Sequence, residues 1–240
     1  MNNSEAFQLF LKYFSRVLML LLVMPLTNSA RGLVAKWMGD DSSDHAGRIT
    51  LNPMAHLDPI GSLMILLIGF GWSKPMPITF SRMKNMRAGV VAVSLAGPVS
   101  HFLSAIVCKL IPMLFTLIPT FREQYAEYLF YNGTITPFIA FDIVLSLLAQ
   151  INVCLGVINL LPLPPMDGFQ VLNQFAGAKF HNWYYSNYQL INQVSTLILF
   201  ALFFCGRLTG GHFDPLGWLI LLVDSLLTSL VTLPFMLFGG

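Results

Sequence analysis

The chain has 240 residues, of which 55% are hydrophobic and only 10% charged, against roughly 25% charged in an average soluble domain. That balance belongs to a membrane protein. A formal net charge of +2, with the basic residues scattered, offers neither the basic face nor the aromatic platform of a nucleic-acid binder, so nucleic acid is excluded and the lipid bilayer is the first partner expected.

Bilayer hydrocarbon about 30 Å thick takes roughly 20 apolar residues to cross as a helix. The first candidate in chain order is 7–38, which begins amphipathic, is fully apolar from Val17 to Leu26, and turns polar at Gly39, Asp40 and Asp41. A Gly followed by acids is a helix stop. Lys12 and Arg16 ahead of the apolar run, with Ser29 and Ala30 behind it, also fit the outline of a leader peptide. The helical pattern continues past Ala30 to Trp37, however, and predicts a retained span.

The stretch from Ile60 to Trp72 is apolar but too short for a plain span, and Gly61, Gly69 and Gly71 interrupt it. It predicts a re-entrant or tilted hairpin over 53–77. Such irregular backbone is tolerated at membrane depth only where protein or a water-filled cavity covers it, so the hairpin should face the interior.

Residues 88–118, 135–163, 189–208 and 214–238 supply further spans. In the first of these Ala88, Ala92, Ala96, Ser100 and Ser104 recur every fourth position, which puts small residues on one face of a central helix. The expected fold is an all-α polytopic membrane protein with about five transmembrane helices plus the hairpin. It forms one membrane domain over 1–240, with a core at 7–172 and two C-terminal transmembrane helices at 188–240.

The loop 73–87 carries Lys74, Arg82, Lys84 and Arg87 without an acid, which places it on the cytoplasmic side. The loop 39–52 then lies on that side, 120–134 on the other, and the Pro-rich turn 162–168 returns to the cytoplasmic face. Cys108, Cys154 and Cys205 each stand alone in apolar runs and read as reduced, buried thiols. His45, His181 and His212 read as surface or interface residues.

Three segments are too particular to be packing alone. They are Gly47-Arg48-Ile49-Thr50-Leu51-Asn52-Pro53-Met54-Ala55-His56-Leu57-Asp58-Pro59-Ile60-Gly61, then Ala96-Gly97-Pro98-Val99-Ser100-His101, then Asn159-Leu160-Leu161-Pro162-Leu163-Pro164-Pro165-Met166-Asp167-Gly168. In this order and spacing they resemble the short, bacterial-type branch of the site-2 protease family, over roughly residues 20–172. The resemblance implies a helical core in a bacterial cytoplasmic membrane, built around a zinc ion. A His-Glu-x-x-His motif on the first core helix would supply two ligands and the general base, and the Asp of an Asp-Gly turn, here Asp167, the third ligand.

In such a motif two His at i and i+4 share one helix face and the Glu between them activates water on the metal. Aligning on Gly39-Asp40 puts Thr27 and Arg31 at the two His positions and Asn28 at the Glu. Thr and Asn are not usual zinc ligands, Asn cannot take up a proton as a carboxylate does, and Arg is a permanent cation. No His precedes His45, so a shift of register restores nothing. Asp167 is left as a remnant ligand.

Two readings of Arg31 stay open: it replaces the metal by pairing with Asp167, or it snorkels to the interface. A substitute zinc site from His56, His101 and Asp167, with or without Asp58, is allowed by residue type. The plainer reading has these side chains satisfying backbone groups bared by the hairpin. Asn52, Pro53, Asp58, Asn159, Pro162, Pro165 and Gly168 are carried over as candidate binding residues, since the prolines force extended chain before Asp167 that can hold a peptide or form a rigid turn. Asp142 and Asp224 are acids within apolar spans and therefore functional candidates; Asp142 is also shallow enough to reach the outer interface, whereas Asp224 lies deeper and the sequence names no partner for it.

The expected function is that of a catalytically inactive homologue with no cofactor, a membrane scaffold or binding subunit for another membrane protein or transmembrane peptide. The alternatives are a zinc endopeptidase with a rearranged site and, from the two intramembrane acids, a transporter or channel accessory subunit.

Overall fold

The computed structural model describes residues 3–69, 71–131 and 135–238, and the regular elements among them are all helical. Five helices are long and apolar enough to cross a membrane: Glu5–Met38, Met86–Phe115, Pro137–Asn159, Tyr188–Leu208 and Pro215–Phe235. All five match expected spans.

The first is a continuous rod of α1 (Asn3–Leu18), a π-helical turn (Met19–Val23) and α2 (Met24–Met38). Pro25 has no N–H for the carbonyl one turn back, and the ladder slips just before it, with Met24 N–H reaching Met19 O. The rod stops at Gly39, whose φ of 108° and N–H to Ala35 O and Lys36 O make a left-handed cap.

Asp40 is fully buried, and its carboxylate accepts from Ser42 N at 3.1 Å and from Thr79 N at 2.6 Å. Ser43 Oγ, on the one-turn helix α3 (Ser42–His45), donates to Pro77 O at 2.7 Å. Lys84 N donates to Met38 O at 3.0 Å. These bonds fasten the 73–87 loop onto the 39–52 loop at the same end of the molecule, as the topology reading requires.

The segment 53–77 doubles back on itself, but Ile60, Leu63 and Leu67 on its helix are exposed, so it does not turn wholly to the interior. Asn52 Oδ1 caps a 3-10 turn at Pro53–Ala55, and Asp58 Oδ1 accepts from Gly61 N at 2.8 Å to cap α4 (Pro59–Ile68). A Cβ on Gly61 would strike the carbonyl of Trp72, and one on Gly71 the carbonyl of Gly61, so the two limbs meet backbone to backbone. Arg16 donates from Nη1 to the carbonyls of Leu66 and of Leu67, the latter at 3.0 Å. A cation there satisfies end carbonyls of α4 and opposes the negative pole of the helix.

Helix α5 (Met86–Phe115) is central and packs against α2, α7 (Pro137–Asn159), α8 (Asp167–Asn173) and α11 (Pro215–Phe238). Its deepest line runs through Gly89, Val93, Gly97, His101 and Ala105, one position along from the small-residue ladder read in the sequence. One residue turns a helix by about 100°, and the glycines admit the closer approach. Helix α7 answers with Gly156, where a Cβ would lie 2.6 Å from Phe102 Cε1.

The segment 120–134, read as a loop, instead contains α6 (Pro119–Tyr131), with Phe121 against Phe138 at 4.5 Å between ring centroids. Residues 132–134 lie outside the described part. Two short helices, α8 and α9 (Ala178–Ser186), precede α10 (Tyr188–Leu208). The α10 and α11 spans are 6% and 11% buried, against 39–44% for the first three, so the core is a three-span unit with two helices lying on its outside.

Candidate functional site

The residues aligned with the expected zinc motif, Thr27, Asn28 and Arg31, sit on α2, after the π turn. Thr27 Oγ1 donates back to Val23 O at 2.9 Å. Asn28 is 6% exposed and its Oδ1 accepts from Ser73 Oγ at 3.2 Å. Ser29 Oγ donates to Thr50 O at 2.6 Å, holding the loop before the hairpin on α2.

Arg31 donates from Nη2 to Asp167 Oδ2, so of the two readings the structure has the pair and not the snorkel. The guanidinium lies on Gly97, where any Cβ would overlap it. Gly97 thus makes the room that the pair occupies. Asp167 opens α8 and is 7% exposed. Gly168 beside it brings α8 against the carbonyls of Leu160 and Leu161, where a Cβ would not fit.

A cavity of about 450 Å³ adjoins the pair. Thr27, Asn28, Arg31, His101, Asn159 and Pro165 line it, with the hairpin's Trp72 and Ser73. Of the expected binding residues, Asn159 and Pro165 reach this space. Asn52, Pro53 and Asp58 shape the hairpin, while Pro162 lies in the turn before α8.

His101 is 5% exposed and pairs through Nδ1 with Asn152 Oδ1 at 2.9 Å; Asn152 Nδ2 donates to Leu148 O at 2.9 Å. Asn152 therefore accepts, and Nδ1 carries the proton. This orienting amide was missed, although a lone Asn in the apolar run of α7 was its signal. His56, 0% exposed, uses Nε2 to bond Thr50 O at 2.8 Å.

Zinc would need lone pairs where Thr27, Asn28 and Arg31 stand. A hydroxyl engaged with the backbone, an amide bonded to Ser73 and a guanidinium already on the remaining carboxylate do not fit it. The substitute set is not assembled either: His56 and His101 serve separate hydrogen bonds, Asp58 is a helix cap, and among the described residues no three His, Cys, Asp or Glu side chains group as ligands. Far from this site, Asp224 pairs with Lys109 at 2.8 Å, a partner the sequence reading lacked, and Asp142 lines a cavity with both.

Comparison with known proteins agrees with the motifs. The profile of peptidase family M50 matches residues 21–202. The chain is 36% identical over 156 residues to "Putative zinc metalloprotease YwhC" of Bacillus subtilis (strain 168), a match that spans 65% of this chain and 66% of that protein. No solved structure matches.

Proposed function

The chain belongs to peptidase family M50, the site-2 protease family, and we propose that it is a catalytically inactive member that works by binding. It is an integral membrane protein with five apolar spans, and its relation to a bacterial homologue fits the cytoplasmic membrane. One observation carries the proposal: a guanidinium takes up the carboxylate of Asp167. The pair holds α2 to α8 and neutralises a carboxylate that would be expensive to leave alone at membrane depth.

The neighbouring Asn28 offers no base, since an amide does not accept a proton near neutral pH. What persists is the frame: the hairpin stapled by Arg16, the proline-rich turn before Asp167, closed by Met166 N to Leu163 O at 2.8 Å, and a cavity between them. A frame that holds a segment of a membrane protein without cutting it is a scaffold or binding subunit.

The test is hydrolysis of transmembrane peptides by the purified full chain in nanodiscs with zinc supplied. Peptides that co-purify or compete for the site while remaining intact agree with the reading. Cleavage that disappears on Asp167→Asn contradicts it.

A further inference from the structure

Outside the altered motif, the molecule carries a second set of polar groups at membrane depth. Lys109 Nζ lies 2.8 Å from Asp224 Oδ1 and donates to Thr228 Oγ1 at 2.9 Å, tying α5 to α11. Asp142, on α7, lines two adjoining cavities with Lys109, of about 360 and 420 Å³. It makes no hydrogen bond or ion pair among the described residues. Ser146 and Gln150 continue from it at steps of four along the same helix face, and both are exposed.

The three charges share a layer. Asp142 is five residues from the Pro137 end of α7 and Lys109 six from the Phe115 end of α5. Asp224 is nine residues from the Pro215 end of α11. At 1.5 Å per residue these lie about 7.5, 9 and 13.5 Å along each helix from that end. The Lys109–Asp224 pair is neutral, so the groove keeps one carboxylate, Asp142, together with an exposed hydroxyl and amide, all at a level where lipid offers no hydrogen bond.

We propose that this groove between α5, α7 and α11 docks one transmembrane helix of a partner membrane protein, and that a basic side chain of that helix pairs with Asp142. Charge complementarity selects the occupant. A Lys or Arg on the partner neutralises Asp142 and is itself relieved of its cost in lipid, whereas an apolar helix leaves the carboxylate unpaired and an acidic one adds repulsion. Ser146 and Gln150 lie one and two turns further along to bond the same helix. This surface is distinct from the cavity at Arg31 and Asp167, so it goes beyond the inactive-homologue reading, and the metal or protease status of that site does not bear on it.

The experiment uses the full chain in liposomes, donor-labelled, with acceptor-labelled Leu/Ala transmembrane peptides that differ at one position about 7–14 Å inside the bilayer. That position holds Lys, Leu or Glu. The expected result is energy transfer showing association at least tenfold stronger for the Lys peptide than for the Leu peptide. Asp142→Asn should reduce it to the Leu level, and Asp142→Glu should retain it.

Size exclusion and thermal unfolding show whether each variant is folded. Should Asp142→Asn fail that check, charge reversal supplies the second arm, with Asp142→Lys preferring the Glu peptide over the Lys peptide. Equal association of all three peptides, or a Lys preference unchanged in Asp142→Asn, overturns the proposal. So does a groove that takes up no peptide and holds water alone.

Discussion

Arg31 Nη2 donates to Asp167 Oδ2 across 136 residues of chain, joining α2 to α8. The charge now lies in two side chains, so each should need the other. Arg31→Met leaves a carboxylate that is 7% exposed without its partner and should destabilise the fold by about 3–5 kcal/mol. Arg31→Met with Asp167→Leu should recover most of that loss, since an apolar pair of similar volume removes both charges. Thermal unfolding of both single variants and the double variant in one detergent gives the coupling directly.

Gly97 should be sensitive for a related reason. Gly97→Ala drives a methyl group into the guanidinium, and overpacking of this kind costs about 1–3 kcal/mol. In an Arg31→Ala background the clash is gone, so the same change should lose most of its effect. Additive losses in the double variant would mean that Gly97 is needed by the backbone and not by Arg31.

The buried Asp40 clamp makes a pH prediction. Burial alone raises its pKa, but the hydrogen bonds from Ser42 and Thr79, with Arg82 nearby, outweigh that and hold it below its ordinary value. A depressed acid stabilises the fold above its unfolded pKa of about 3.8, and that contribution is lost as pH falls from there through the folded value. Asp40→Asn should remove this acid limb and lower the melting temperature at neutral pH. Hydrogen exchange should show the 73–87 loop loosening first, because Thr79 N loses its acceptor.

Arg16 is predicted to hold the hairpin shut. Arg16→Met bares the carbonyls of Leu66 and Leu67 and should cost about 1–3 kcal/mol. Amide exchange should rise in the hairpin and leave α5 and α7 unchanged. A uniform rise across the chain would assign Arg16 to global stability instead.

Much of this was legible in the sequence because membrane spans announce themselves by length and charge. Their ends were read within a few residues, and the hairpin followed from glycines in a run too short to cross. That the chain contains no His-Glu-x-x-His was equally plain, and Thr27, Asn28 and Arg31 need no structure to be recognised as poor ligands.

What stayed hidden were contacts whose two members lie far apart. Lys109 gave no hint that Asp224, on another span, was its partner, and Asn152, though conspicuous in the apolar run of α7, did not say that His101 was the ring it holds. Helix α6 was missed because its residues mix charge and aromatics without a clear period. Pro119 at its first position and the packing of Phe121 on Phe138 decide the matter only in three dimensions. The small-residue face of α5 was placed one residue off because Gly97 admits a guanidinium and Gly89 a methionine, and composition does not rank such positions.

The central claim is that α2 no longer offers a place for a metal, and zinc per mole of full chain, purified under gentle detergent and washed with a mild chelator, measures it most directly. The account predicts essentially none for the native sequence, with zinc uptake appearing on Thr27→His, Asn28→Glu and Arg31→His together. A native chain that retains close to one zinc per molecule, and loses it on Asp167→Asn, would contradict the account.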